Sequence, residues 1–159
     1  MIKTIFIGSV KFSENLLKVV LDNDKIDVVG IVTKDKSSFN SDFVSLRAIA
    51  TENDIDCLAY RNNVELSDWM RGKDYDLILC FGWSHIISEE LLRIPKFGAW
   101  GYHPAKIPCN RGRHPIIWAL SLGLKETAST IFTMEKEVDS GKIVSQVDVP
   151  IEYTDNASI

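Results

Sequence analysis

Through its N-terminal half the chain alternates short apolar runs with amphipathic segments: Ile2 to Ile7, Glu14 to Leu21, Ile26 to Val32, and Ser45 to Glu52. Runs this short suit buried strands, and the intervening segments place apolar residues at helical spacing. The pattern predicts right-handed βαβ crossovers around a parallel sheet. Ser13 is placed to cap the first helix, whose Leu16, Leu17, Val20 and Leu21 share a face. Asp56 to Ala59 reads as a third strand, Val64 to Met70 as a short helix, and Leu77 to Phe81 as a wholly apolar strand. Glu89 to Leu92 reads as helical and Ala99 to Tyr102 as the strand that delivers His103.

Beyond a Pro-rich loop, Pro115 suits a helix start, with Ile116, Ile117, Ala119 and Leu120 packing before Gly123 ends it. Ser129 to Met134 and Lys142 to Ile151 alternate like strands flanking a turn at Asp139. Lys34 to Asp42, polar and Ser-rich, is the stretch most prone to disorder. One domain, residues 1–159, is expected. Its last residues, Thr154 to Ile159, read as a helix N-terminus capped by Asp155 with one turn behind it, as in a truncated chain or one ending in a short tail.

With 159 residues, 45% of them apolar, the chain can bury a real core. Its net charge of -4 gives no general attraction to nucleic acid, so anion binding has to come from a local cluster such as Lys106, Arg111 and Arg113. Three cysteines, Cys57, Cys80 and Cys109, form no close-spaced pair, which argues against a disulfide framework and a cysteine zinc site. The N-terminus enters a strand without a charged leader, and no segment approaches the ~20 apolar residues of a membrane span, so a soluble cytoplasmic protein is expected.

The chemistry concentrates in two places. His103 lies in Gly101-Tyr102-His103-Pro104-Ala105-Lys106-Ile107-Pro108, followed by Asn110-Arg111-Gly112-Arg113-His114-Pro115, and Asp139 lies in Val138-Asp139-Ser140-Gly141. A histidine closing a strand, a cation-rich loop and an acid in a Gly-ended turn can together move protons beside an anionic ligand. Taken singly, His103 reads more simply as a core histidine and Asp139 as a turn former. His85, His103 and His114 show no i, i+4 spacing and no completing carboxylate, so no metal is expected.

With these residues in view, the sequence resembles the formyltransferase family that uses 10-formyltetrahydrofolate. That family's pattern is an Asn-x-His-Pro strand end, a Leu-Pro-x-x-Arg-Gly loop and an Asp-x-Gly turn. His103-Pro104, Ile107-Pro108, Arg111-Gly112 and Asp139-Ser140-Gly141 match it, while Gly101 stands at the Asn position. Phe6-Ile7-Gly8 with Phe12-Ser13 is similar to the family's opening strand and turn, and Phe81-Gly82-Trp83 through Ile86-Ile87 to its folate-site loop. The Trp-Ser-His-Ile-Ile and Arg-Gly-Arg-His-Pro wording is most similar to bacterial sugar N-formyltransferases.

The resemblance implies a Rossmann-like α/β fold: a mainly parallel twisted sheet with flanking helices and a C-terminal antiparallel extension. It implies His103 and Asp139 as catalytic residues, Asn110 or His114 as substitutes for the missing Asn, and Phe81, Gly82, Trp83, Ile86 and Ile87 at the folate. Lys106, Arg111 and Gly112 would meet the substrate. The implied activity is formyl transfer from 10-formyltetrahydrofolate to the amine of a nucleotide-linked amino sugar, as in surface polysaccharide biosynthesis. Methionyl-tRNA or glycinamide ribonucleotide formylation is the alternative acceptor chemistry. A non-catalytic nucleotide-binding module is the rival class; it is supported by the βαβ start and Asp35, but Gly8-Ser9-Val10-Lys11-Phe12 lacks G-x-G-x-x-G.

Overall fold

Ile5, Phe6 and Ile7 are fully enclosed because their strand, β1 (Ile2–Ile7), runs between two parallel neighbours. The computed structural model describes residues 1–37, 41–104, 126–135 and 141–150, and the chain divides into two compact units, Met1–Ala99 and Trp100–Ile159. In the first, β1 pairs β2 (Ile26–Thr33) on one side and β4 (Leu77–Cys80) on the other, and β2 pairs β3 (Cys57–Ala59). The strand order β3-β2-β1-β4 reverses the direction of sheet growth between β1 and β4. Such a reversal opens the ends of both strands to ligands in α/β folds.

Helices α1 (Lys11–Leu21), α2 (Arg47–Glu52) and α3 (Asn63–Arg71) make the crossovers, and α4 (Glu89–Arg93) follows β4. Leu17, Leu66, Met70, Leu91 and Leu92 are buried, each contributing roughly 1.5–3 kcal/mol of transfer free energy. The Asn62 side chain accepts a 2.8 Å hydrogen bond from the Glu65 amide and so starts α3.

One local expectation changes. Helix α1 begins at Lys11 with Val10 as its N-cap, so Ser13 is inside the first turn and not the cap. Of the stretch from Lys34 to Asp42, residues 38–40 lie outside the described residues; of the rest, Asp35 pairs with Arg47 at 2.9 Å and the Asp42 carbonyl accepts from the Lys11 amide at 2.9 Å.

The second unit is antiparallel. Strand β5 (Ala99–His103) crosses the boundary, and its residues from Trp100 pair with β6 (Glu126–Thr133), which pairs with β7 (Ile143–Pro150). The β6–β7 connection is clamped at its base, where the Thr133 amide donates to the Lys142 carbonyl at 2.8 Å and the Lys142 amide to Thr133 Oγ1 at 2.9 Å.

The architecture is the Rossmann-like α/β fold that the resemblance implies, with mainly parallel strands, flanking helices and C-terminal antiparallel strands. The expected helix at Pro115, the Asp139 turn and the Thr154 to Ile159 end lie outside the described residues. Among those described, no helix is long and apolar enough to cross a membrane.

Candidate active site

In the first unit, the turn after β1 is stitched to the loop after β4. Ser13 Oγ donates to the buried Phe81 carbonyl at 2.5 Å and accepts from the Val10 amide at 3.3 Å, while the Ser9 amide donates to the Gly82 carbonyl at 3.1 Å. Close approach requires glycine on both sides. A Cβ on Gly8 would overlap the Phe81 carbonyl, and Gly82, at φ +73°, has Ser13 and Val10 where a side chain would go. Removing one partner from this buried set leaves a carbonyl and an amide without their protein bonds. Ser13→Ala should therefore lose about 1–3 kcal/mol, read from the denaturation midpoint.

The five residues expected at the folate divide by environment. Phe81 packs edge-on against Phe6, with ring centroids 5.8 Å apart, and both Phe81 and Ile87 are buried in the core. Ile86 is 75% exposed, and the Trp83 ring meets Tyr60 and His85. Of the five, Trp83 and Ile86 are the side chains that are not buried in the core. Burial, aided by the positive charge of Lys34, lowers the His85 imidazole below its ordinary value, so it stays neutral at pH 7.

In the second unit, His103 ends β5 and is 5% exposed. The β5–β6 register sets it opposite Thr130, and the β6–β7 register sets Thr130 opposite Gln146, whose amide donates to Thr130 Oγ1 at 3.0 Å. His103, Thr130 and Gln146 thus form a polar row across three strands. Thr130 and Gln146 were not singled out from the sequence, since only the cross-strand register brings them into line.

Gly101 shares a face with His103, two residues apart on the strand, and its partner across β6 is Phe132. A Cβ there would lie 2.9 Å from Phe132 Cζ and 3.1 Å from Met134 Cγ, so apolar groups fill the space of the family asparagine. The Gly101 backbone is ordinary, since the positive-φ glycines among the described residues are Gly82 and Gly98. Gly101→Asn therefore collides with a buried ring. We expect it to destabilise the protein by about 1–3 kcal/mol without raising turnover, as thermal unfolding and an activity assay would show.

Lys106, Asn110, Arg111, Gly112, His114 and Asp139 lie outside the described residues. The described thiols are poor nucleophiles, since burial pushes Cys80 up to about 12 and also raises Cys57. No cluster of three metal-ligating side chains occurs among the described residues.

The first unit is thus a parallel α/β sheet whose order reverses between β1 and β4, and the second carries a buried histidine at the end of a strand. The chain belongs to the formyl transferase family, whose model matches residues 2–158. It is 31% identical to a methionyl-tRNA formyltransferase of Ehrlichia canis over 97% of this chain and 53% of that one. It is 36% identical to the bifunctional polymyxin resistance protein ArnA of Wigglesworthia glossinidia brevipalpis, over 60% of this chain and 15% of that one. In three dimensions it is similar to a glycinamide ribonucleotide transformylase of Symbiobacterium toebii, with a TM-score of 0.83 at 20% identity, covering 98% of this chain and 76% of that one. The chain spans about half the length of the curated relatives it matches.

Proposed function

We propose that this protein is a cytoplasmic N-formyltransferase that moves the formyl group of 10-formyltetrahydrofolate to the amino group of a nucleotide-linked amino sugar. The observation that carries the transfer reading is His103, buried at the carboxyl end of β5 in a chain of the formyl transferase family. The acceptor's neutral amine attacks the formyl carbon, and the C=O electron pair moves onto oxygen. His103 stabilises that oxyanion, and Asp139 receives the proton shed by the new C–N bond, directly or through a water. Collapse of the intermediate re-forms C=O, expels N10 of the folate and returns a proton to it. The donor lies against the loop from Phe81 to Ile87, and Lys106, Arg111 and Gly112 hold the acceptor's anionic part.

Methionyl-tRNA is the second acceptor to weigh, because relatives such as the Ehrlichia canis protein carry that name. The net charge of -4 favours a small acceptor over a polyanion. The test is incubation with 10-formyltetrahydrofolate and, separately, nucleotide-linked amino sugars, glycinamide ribonucleotide and methionyl-tRNA, followed by mass detection of the formyl adduct. A formylated sugar supports the proposal; an adduct on methionyl-tRNA alone reassigns the acceptor, and no adduct on any amine overturns the transferase reading.

A further inference from the structure

At the carboxyl ends of β2, β3 and β4 stands a cluster that shares Trp83 and His85 with the folate-site loop and adds Lys34 and Tyr60 from outside it. Tyr60 follows β3, and its amide donates to the Thr33 carbonyl at 2.8 Å while its hydroxyl donates to Asn63 Oδ1 at 2.9 Å, so the ring is held at both ends. It meets Trp83 edge-on at 5.2 Å and lies tilted over His85 at 4.6 Å, and Trp83 and His85 are 5.5 Å apart. The Lys34 ammonium stands 5.6 Å from the centroid of the Trp83 ring and 3.4 Å from Ser84 Oγ.

Two features of this cluster point to a ligand. Trp83 Nε1 is buried and has no acceptor among the described residues, a costly state for an indole N–H unless an acceptor arrives. Lys34 has no carboxylate partner among the described residues, because the neighbouring Asp35 is taken by Arg47 at 2.9 and 3.3 Å. Phosphates in α/β folds usually rest on amides at the start of the first helix. Here those amides are occupied: Ser9 donates to Gly82, Val10 to Ser13 and Lys11 to Asp42. A nucleotide's phosphate needs another partner, and Lys34 supplies it beside rings on which a base can stack.

We infer that Lys34, Tyr60, Trp83 and His85 form the recognition subsite for the base and adjoining phosphate of the nucleotide that carries the acceptor amine, which rests on the nucleotide-linked reading above. The base stacks on the aromatic rings, a base carbonyl or phosphate oxygen accepts from Trp83 Nε1, and Lys34 neutralises the phosphate. The loop from Phe81 to Ile87 is thereby shared, its backbone and Ile86 serving the donor while the Trp83 ring serves the acceptor. The benzoyl-glutamate portion of the folate also offers a ring and an anion, so the experiment separates the two sources.

The full chain and its Lys34→Met, Tyr60→Leu and Trp83→Ala variants are titrated calorimetrically with UDP, with dTDP, and with 5-formyltetrahydrofolate. Losing a stacking or phosphate partner should weaken nucleoside diphosphate binding by roughly tenfold or more, with the folate titration unchanged in Lys34→Met and Tyr60→Leu, which lie outside the folate-site loop. A diphosphate affinity equal to that of the wild type, a wild type that binds neither diphosphate, or weakening of the folate in folded Lys34→Met or Tyr60→Leu overturns the assignment. Circular dichroism identifies any variant that fails to fold, and Lys34→Met, at a partly exposed position outside the core, remains decisive if Trp83→Ala does not fold. Failure of this subsite differs from failure of the proposed function: in the first case formyl still reaches a nucleotide-linked amine, and in the second it does not.

Discussion

Replacing His103 by alanine should lower turnover on the order of 100-fold or more while leaving folate affinity within a few-fold of wild type. The asymmetry follows from where the residue acts. An imidazole at the end of β5 meets charge that develops only as the amine attacks, so its loss raises the barrier without withdrawing a contact from the bound donor. His103 is also 5% exposed and opposite Thr130, so truncation leaves a small void and some loss of stability comes with it. The kinetic effect must therefore be read on folded protein, by single-turnover formyl transfer alongside a folate titration. A folded variant with near-normal turnover would remove His103 from the chemistry.

Asp139→Asn should be nearly as damaging to turnover, by about 100-fold, while costing about 1 kcal/mol or less in stability. Asparagine keeps the size and much of the hydrogen bonding of the carboxylate but cannot receive the amine's proton. The stability expectation rests on the base of the β6–β7 connection. That base is clamped by Thr133 and Lys142, with Gly141 packed so closely on the Thr133 carbonyl that a Cβ would overlap it. None of these contacts needs a charge at Asp139. Parallel denaturation and transfer assays decide the matter. A strongly destabilised variant that retains its rate per folded molecule would make Asp139 a turn former.

The strands were legible because each is a short apolar run bounded by polar turns, and the observed β1, β3 and β4 differ from the sequence reading by at most a residue or so at an end. Helix α1 shows where that legibility stops. Ser13 has the chemistry of a cap, and nothing near it in the sequence reveals that its hydroxyl reaches the Phe81 carbonyl across 68 positions. Tyr60 likewise looks like one aromatic residue after a three-residue strand, and it gains meaning only when β3 is placed beside β2 with Trp83 turned towards it. Gly101 was visible as a departure from the family pattern. That Phe132 fills its place was not, because the pairing depends on a strand that starts at Glu126, ahead of the alternation beginning at Ser129. His103 stood out because strand end, proline and loop are contiguous in the chain.

The seam between the β1 turn and the loop after β4 limits how a protein of this design can change its choice of partner. With Gly8, Ser9 and Ser13 fastened to Phe81 and Gly82, the loop's main chain cannot be reshaped without dragging helix α1 and the carboxyl ends of β1 and β4 with it. New selectivity has to be written in the side chains that project from a fixed frame, at positions such as Trp83 and Ile86, where substitution leaves the seam intact. Diversification at this rim should proceed by exchange of residues, and insertions between Phe81 and Ile87 should be rare among folded descendants.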